Sequence, residues 1–195
     1  MTCVYFITHP DVLIDPAVPI HEWTLSPRGR QRMHALLAQP WVLNLGGVWC
    51  STERKAIDGA EIIANAIGTT PRLLATLGEN DRSATGYLSK VEFEATADAF
   101  FADPHASISG WETAADAQRR IVAAIATVVT ETPAAYDIAV VSHGGVGTLL
   151  LCHLKGCPIS RAEDQPGGGG GNYYCFDVRA YSLRHGWRPI EDSTS

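Results

Sequence analysis

The sequence predicts an α/β protein with three layers, α/β/α, around a mostly parallel sheet. Short apolar runs rich in strand-forming residues alternate with stretches whose apolar residues recur at helical spacing. Strands separated by helices pack as right-handed βαβ units, with helices on both faces of the sheet. There is no internal repeat, and 195 residues suit a single domain spanning residues 1–195.

The predicted strands are short. Residues 4–7, 48–50 and 138–141 form the core strands, and the last of these is continuously apolar, as central parallel strands are. Residues 173–183 and 187–190 are predicted to form a terminal hairpin at the edge of the sheet. The end of the chain, residues 192–195, is expected to fray.

Helices are predicted where residues typical of helix ends flank a stretch whose apolar residues recur at helical spacing. Ser26 and Pro27 supply an N-cap and a first-turn proline for the first helix. A second helix is expected at about 53–67, capped by Ser51 or Thr52 and ended by Gly68. Further helices are expected at about 89–102, at 112–131 and from residue 146 onward.

The composition argues against several classes of function. The formal net charge is -6 and the isoelectric point is near 5.6, whereas nucleic-acid binders are usually basic. No apolar run reaches the roughly 20 residues of a membrane helix, and the N-terminus lacks the basic region of a signal peptide. The five cysteines include no CxxC pair, which favours free thiols. We therefore expect a cytoplasmic protein that binds neither nucleic acid nor membrane.

Two histidines directly follow predicted core strands. His9 comes after the first strand and His143 after the third. Ligand sites of open α/β sheets lie at the carboxyl ends of the strands, so these distant residues are expected at one rim. Gly144 and Gly145 follow His143 at a predicted helix start, where free N–H groups favour phosphate and glycine allows a close approach.

Six short segments extend this pattern. They are Thr8-His9-Pro10, Leu25-Ser26-Pro27-Arg28-Gly29, the stretch from Ser51 to Glu61, Leu77-Gly78-Glu79, Gly110-Trp111-Glu112 and Ser142-His143-Gly144-Gly145. In this order they resemble the motifs of the histidine phosphatase (phosphoglycerate mutase-like) superfamily, over residues 1 to about 155. The resemblance implies a phosphoglycerate mutase-like fold and a phosphoryl transfer that needs neither a metal nor a cofactor.

The resemblance also implies roles for three residues. His9 would attack phosphorus and become phosphorylated, after which water would hydrolyse the phosphohistidine. His143 would bind the transferring oxygens and stabilise their developing charge. Glu79 matches the proton donor that serves the leaving oxygen.

The chain departs from the family pattern where the phosphate would bind. Thr8 and Lys55 stand at the positions of two arginines, Pro10 replaces a glycine, and Asp15 stands where many members have an asparagine. Arginine offers phosphate a bidentate fork, whereas lysine offers only a point charge. We therefore take as candidate phosphate-binding residues Thr8, Lys55, its neighbour Arg54, Arg82 in the loop of Glu79, and Gly144.

Several alternatives remain open from the sequence. The first hypothesis is a phosphatase that acts on a phosphorylated small molecule or a phosphoprotein, hydrolysing phosphate monoesters or phosphohistidine. The second is a catalytically attenuated pseudoenzyme that binds a phosphorylated ligand or partner protein. A nucleotide-binding domain is disfavoured because no phosphate-binding glycine motif follows a strand. The glycine run 167–171 is either a mobile linker or a lid, and the protein is either a monomer or a homodimer.

Overall fold

The computed structural model describes residues 2–133 and 135–192. One mixed sheet is formed by β1 (Cys3–Thr8), β2 (Leu45–Cys50), β3 (Arg72–Leu73), β4 (Asp137–Ser142), β5 (Asn172–Asp177) and β6 (Leu183–Pro189). The strand order is β3-β2-β4-β1-β5-β6. The first four strands are mutually parallel, whereas β5 and β6 run antiparallel to their neighbours. The predicted fraying at residues 193–195 lies outside the described residues.

Five α-helices connect the strands: α1 (Pro27–Leu36), α2 (Arg54–Ala66), α3 (Lys90–Ala102), α4 (Ala114–Glu131) and α5 (Gly144–Lys155). Ser26 caps α1 as predicted, since its side chain accepts a hydrogen bond from the backbone of Gly29. The prediction that Ser51 or Thr52 caps α2 is wrong. Glu53 occupies the N-cap position, and its side chain makes no capping hydrogen bond because it is used elsewhere.

Each face of the sheet carries its own hydrophobic core. Along β1, Val4 and Phe6 pack on the face covered by α3, α4 and α5, whereas Ile7 packs with α1 and α2 on the opposite face. β4 alternates in the same way, with Val140 on the first face and Val141 on the second. This alternation follows from the two-residue period of a strand. The three-layer α/β/α architecture is confirmed.

The structure differs from the predicted strands in one additional strand and in the place of the hairpin turn. β3 was not predicted, because it is only two residues long and exposed. The turn of the terminal hairpin lies between Asp177 and Leu183, not between residues 183 and 187. The Asp177 carboxylate accepts hydrogen bonds from the backbone N–H groups of Arg179 and Ala180, which fixes the turn at this place.

Within the described ranges, no helix has the length and apolar character that crossing a membrane requires. The five cysteines are free thiols in this structure.

Candidate active site

The sheet register brings the two histidines together. Thr8 of β1 pairs with Ser142 of β4, so the next residue of each strand emerges at the same rim. The backbone N–H of His9 donates to the Ser142 carbonyl at 3.1 Å. The ring centroids of His9 and His143 lie 5.1 Å apart, with the ring planes at 71°. The two histidine rings thus lie at the same rim of the sheet, as expected from the sequence.

His9 is held in the tautomer that a nucleophile needs. Its Nδ1 lies 3.0 Å from the Pro10 carbonyl, which can only accept, so Nδ1 carries the hydrogen and Nε2 keeps its lone pair. The pKa of His9 is lowered to about 3, first by burial and then by the nearby His143 and Lys55, against the opposing Pro10 hydrogen bond. The half-buried ring lines a cavity and is neutral near pH 7.

His143 is anchored from behind by α2 and the residues before it. Its Nε2 lies 2.7 Å from the Ser51 hydroxyl and 3.2 Å from Oε1 of Glu53. Burial lowers the pKa of His143, while the Glu53 carboxylate opposes this. Nδ1 is buried and has no hydrogen-bond partner in the described part of the chain. The ring is therefore fixed on one side and has an unused nitrogen on the other.

Lys55 does not reach the cavity. Its buried ammonium donates to the Glu53 carboxylate at 2.5 Å and to the Ile20 carbonyl at 2.8 Å. Burial would raise the pKa of Glu53, but His143 and Lys55 outweigh this and lower it to about 2. The predicted direct contact of Lys55 with phosphate does not fit this arrangement, because the ion pair with Glu53 occupies the ammonium.

Glu79 lies at the N-terminus of α5. Its carboxylate accepts the backbone N–H of Gly145 at 3.1 Å and that of Val146 at 3.0 Å. A Cβ at Gly145 would lie 2.7 Å from Oε1 of Glu79, so the glycine is required for this contact. Gly144 is the first residue of the helix, and its N–H has no intrahelical acceptor. Two of the first three N–H groups of α5 are thus used by Glu79.

Arg120 of α4 holds the segment that carries Glu79. Its guanidinium donates to the carbonyls of Thr76, Gly78 and Glu79 at 2.9 to 3.1 Å. Glu112 pairs with the same guanidinium at 2.8 Å and also accepts the N–H of Asp81. Arg120 therefore fixes the position of Glu79 without contacting the cavity, a role that the sequence did not reveal.

The cavity beside His9 has a volume of about 270 Å³ and two chemically different walls. The polar wall includes His9, Glu79, Asn80, Gly144 and Gln165, and the apolar wall includes Phe93, Ala97, Phe100, Phe101 and Trp111. The carboxylates of Asp11 and Asp164 also line the cavity, the first paired with Arg32 at 2.9 Å and the second accepting the Thr148 hydroxyl at 3.0 Å. The site thus combines a neutral imidazole and hydrogen-bond donors with room for an apolar group.

Two arginines line this cavity. The guanidinium of Arg82 lies 5.1 Å from the ring centroid of Phe93 and 5.5 Å from that of Trp111. Arg82 makes no ion pair within residues 2–133 and 135–192, whereas Arg161 is paired with Glu94 and Asp98. Arg82, predicted as a replacement for a lost arginine, is therefore the lining cation available to a phosphate.

Two other candidate phosphate-binding residues, Thr8 and Arg54, do not line the cavity, and neither does Asp15. Thr8 is buried, and its hydroxyl is engaged by Gln165 and by the backbone of Asn172, so it does not face the cavity. Arg54 is half exposed and pairs with Asp58 at 2.8 Å, because its place on α2 points it away from the site. Asp15 is exposed and accepts the N–H of Ala17, so it does not repel a ligand in the cavity.

Sequence reasoning missed the amides of the site. Nδ2 of Asn80 is buried without a hydrogen-bond partner in the described chain, and Asn80 lines the cavity. Gln165 lines the opposite side, beside Gly144. The position of Asn80 next to Glu79 was the available signal for the first. Nothing in the sequence around Gln165 indicated a role, since only the fold brings it to β1.

The glycine run 167–171 forms part of the cavity wall. Gly170 has a φ of 66°, and a Cβ there would lie 2.1 Å from the carbonyl oxygen of His9. The N–H of Gly171 donates to the Thr8 carbonyl at 3.2 Å. The run packs against the backbone of Thr8 and His9, and a mobile linker would not make these contacts.

Among the described residues, no group of three or more histidine, cysteine or carboxylate side chains is arranged to hold a metal ion.

Comparison with sequence models of protein families finds one match. The sequence model of the histidine phosphatase superfamily (branch 1) matches residues 19–175. The match begins ten residues after His9, so Thr8-His9-Pro10 lies outside it. A search of curated proteins finds no match.

Solved structures share the fold over nearly the whole chain. A mycobacterial glucosyl-3-phosphoglycerate phosphatase in complex with inorganic phosphate has a TM-score of 0.77 at 20% identity, covering 99% of this chain and 100% of the other. The Bacillus stearothermophilus protein YhfR also has a TM-score of 0.77 at 20% identity, covering 94% and 95%. The α-ribazole phosphatase of Shigella flexneri has a TM-score of 0.68 at 17% identity, covering 98% and 97%. At these identities the likeness concerns the fold.

Proposed function

Because the chain belongs to the histidine phosphatase superfamily (branch 1), we propose that it hydrolyses phosphate monoesters through a phosphorylated His9. The observation that carries the proposal is the state of His9. Its Nδ1–H is committed to the Pro10 carbonyl, and its neutral Nε2 is available in a cavity that ends at the N-terminus of α5. Neutral imidazole is the nucleophilic form of histidine.

The residues support a two-step transfer. In the first step Nε2 of His9 bonds to phosphorus, the ester P–O bond breaks, and Glu79 gives a proton to the leaving oxygen. In the second step water attacks the phosphorus, Glu79 takes the proton from the water, and the P–N bond breaks to release phosphate. The Nδ1–H···O bond to Pro10 stabilises the ring while it carries the phosphoryl group.

The cavity favours a phosphorylated small molecule as the substrate. Its polar wall takes the phosphate, and its aromatic wall, with Phe93 and Trp111, takes an apolar or flat organic group. Phosphohistidine and a phosphoprotein side chain are the competing substrates within the same proposal. We place the activity in the cytoplasm, in agreement with the free thiols.

The first experiment compares wild type with His9→Ala on p-nitrophenyl phosphate, naphthyl phosphate, glycerol phosphate, a sugar phosphate and phosphohistidine. His34→Ala is the matched control, because His34 is exposed on α1. Turnover that is lost in His9→Ala and kept in His34→Ala supports the proposal. Absence of turnover by folded wild type between pH 5 and 8 would contradict it.

The second candidate function is phosphate binding without turnover. The arrangement of Thr8 and Lys55 favours it, since both residues at the family's arginine positions are engaged by other groups. A protein that binds inorganic phosphate but hydrolyses no ester in the panel would have this function.

A further inference from the structure

We propose that Gln165 is a phosphate-binding residue of this site and that Thr8 is the positioning residue that orients its amide. The proposal rests on the proposed function, because it concerns the same cavity. It gives Thr8 a role although its hydroxyl does not reach the cavity.

The amide oxygen of Gln165 is held by two donors. Oε1 accepts the Thr8 hydroxyl at 2.7 Å and Nδ2 of Asn172 at 3.2 Å. Thr8 is itself fixed, since its hydroxyl accepts the backbone N–H of Asn172 at 3.0 Å. These three side chains connect β1, β5 and the loop that precedes β5.

The same contacts determine which way the amide faces. Nδ2 of Asn172 also lies 3.1 Å from the Pro166 carbonyl and 3.3 Å from the Gly170 carbonyl, so its two hydrogens are shared among three acceptors. The two carbonyls fix this donor nitrogen as the Asn172 atom that faces Gln165. A flipped Gln165 would place two donors against each other. Oε1 therefore faces Asn172, and Nε2 faces away from it.

Nε2 of Gln165 lies against the start of α5. A Cβ at Gly144 would be 2.3 Å from it, so the amide packs directly over this glycine. Within the described residues Nε2 makes no hydrogen bond, and Gln165, Gly144 and His9 all line the cavity. The two N–H groups of Nε2 are thus available next to the free N–H of Gly144, beside the nucleophile.

The arrangement explains how the site binds an anion with few cations. Glu79 uses the N–H groups of Gly145 and Val146, and Glu53 uses the charge of Lys55. What remains includes the N–H of Gly144, the amide of Gln165 and the guanidinium of Arg82, together with the unpartnered Nδ2 of Asn80 and Nδ1 of His143. An amide supplies directed donors without charge, so it replaces the hydrogen bonds of an arginine but not its electrostatic attraction.

The test measures binding of inorganic phosphate by titration calorimetry, with KM and kcat for p-nitrophenyl phosphate in parallel. Gln165→Glu keeps the acceptor for Thr8 and replaces the donor with an oxygen, so phosphate affinity should fall at least about tenfold. Gln31→Glu makes the same change at an exposed position of α1 and should leave affinity unchanged.

Thr8 variants separate positioning from folding. Thr8→Val should raise KM and weaken phosphate binding, whereas Thr8→Ser keeps the hydroxyl and should restore both. In a Gln165→Ala background, Thr8→Val should have little further effect on binding, because Thr8 acts through the amide. Urea unfolding of each variant shows whether a loss of binding is a loss of fold.

The outcomes distinguish this inference from the phosphatase proposal. Loss of phosphate affinity in folded Gln165→Glu supports the inference, whether or not wild type has turnover. Active wild type with unchanged phosphate affinity in Gln165→Glu overturns the inference and leaves the phosphatase standing. Wild type that binds no phosphate overturns the inference, whereas the phosphatase proposal is decided separately by turnover of p-nitrophenyl phosphate.

Discussion

Glu53 and Lys55 form a buried ion pair directly behind the two histidines, with Oε2 and Nζ 2.5 Å apart. The other carboxylate oxygen lies 3.2 Å from Nε2 of His143 and accepts the N–H of Glu79 at 3.0 Å. One carboxylate thus holds His143, the start of the Glu79 loop and a buried ammonium. Lys55, which the family resemblance places at an arginine position, is engaged by Glu53 and Ile20 and does not line the cavity.

Glu53→Gln should destabilise the protein by at least about 2 kcal/mol, because it leaves the Lys55 ammonium buried without a counter-charge. Urea unfolding at pH 7 measures the loss. The double variant Glu53→Gln/Lys55→Met should lose less than the sum of the single changes, since no buried charge is left unpaired. Strict additivity would show that the pair does not act as a unit.

The same pair predicts a pH dependence of stability. The pKa of Glu53 is lowered from 4.5 to about 2, so folding favours the ionised carboxylate. Its stabilising contribution is complete above pH 4.5 and is lost as the pH falls toward 2. The stability difference between wild type and Glu53→Gln should therefore shrink over this range, and a difference that stays constant would contradict the assignment.

His9 should remain neutral well below the usual range for histidine. Its pKa is lowered to about 3, so the ring should show no protonation shift as the pH falls from 7 to about 4. NMR titration of protein labelled in its histidine rings, with His9→Gln for assignment, measures this directly. A histidine in a short peptide, with a pKa of about 6.5, is the reference. Titration of His9 near that value would show that the ring is not desolvated.

Arg82→Met should weaken binding of inorganic phosphate about tenfold or more, since it removes the unpaired cation of the cavity. The effect should show mainly in KM, because the nucleophile is untouched. Arg161→Met is the matched control. Arg161 lines the same cavity but is paired with carboxylates, so its loss should change phosphate binding much less. Equal effects of the two changes would remove Arg82 from the binding site.

Glu79→Gln should lower the hydrolysis rate of esters with poor leaving groups more than it lowers that of p-nitrophenyl phosphate. A nitrophenolate leaves without a proton, whereas the alkoxide of glycerol phosphate needs one, so the difference should reach about tenfold or more. Rates for both esters, measured beside His9→Ala, provide the check, since loss of the nucleophile should affect both equally. An identical decrease for the two esters would rule out proton donation by Glu79.

Gly170→Ala should destabilise the protein by at least about 2 kcal/mol and reduce turnover, because the positive φ is strained for alanine and the new Cβ meets the His9 carbonyl. Gly168→Ala is the control within the same run. No atom lies within 4 Å of a Cβ at Gly168, so this variant should keep both stability and activity. Thermal unfolding and p-nitrophenyl phosphate turnover test the pair, and tolerance of Gly170→Ala would mean that the run does not support His9.

The order of strands, helices and strand-end histidines could be read from the sequence, because these depend on local patterns. The apolar runs of β1 and β4 predict strands, and a residue that ends a parallel strand faces the ligand rim wherever the strand lies. His9, His143 and Gly144 were found in this way. The hairpin turn was misplaced because Asp177 decides it through hydrogen bonds to its own backbone.

The family, the α/β/α layers and the place of His9 at the end of β1 follow from the sequence alone, since motifs and periodicity are local properties of the chain. Which charges are free depends on tertiary contacts. Lys55 and Arg82 are both cations in segments that carry candidate site residues. In the folded chain the Lys55 ammonium is buried and paired with Glu53, whereas the Arg82 guanidinium lies over the ring of Phe93. Gln165 and Thr8 meet because β1 and β5 are neighbours in the sheet. Such pairings depend on contacts between distant segments, and no local pattern encodes them.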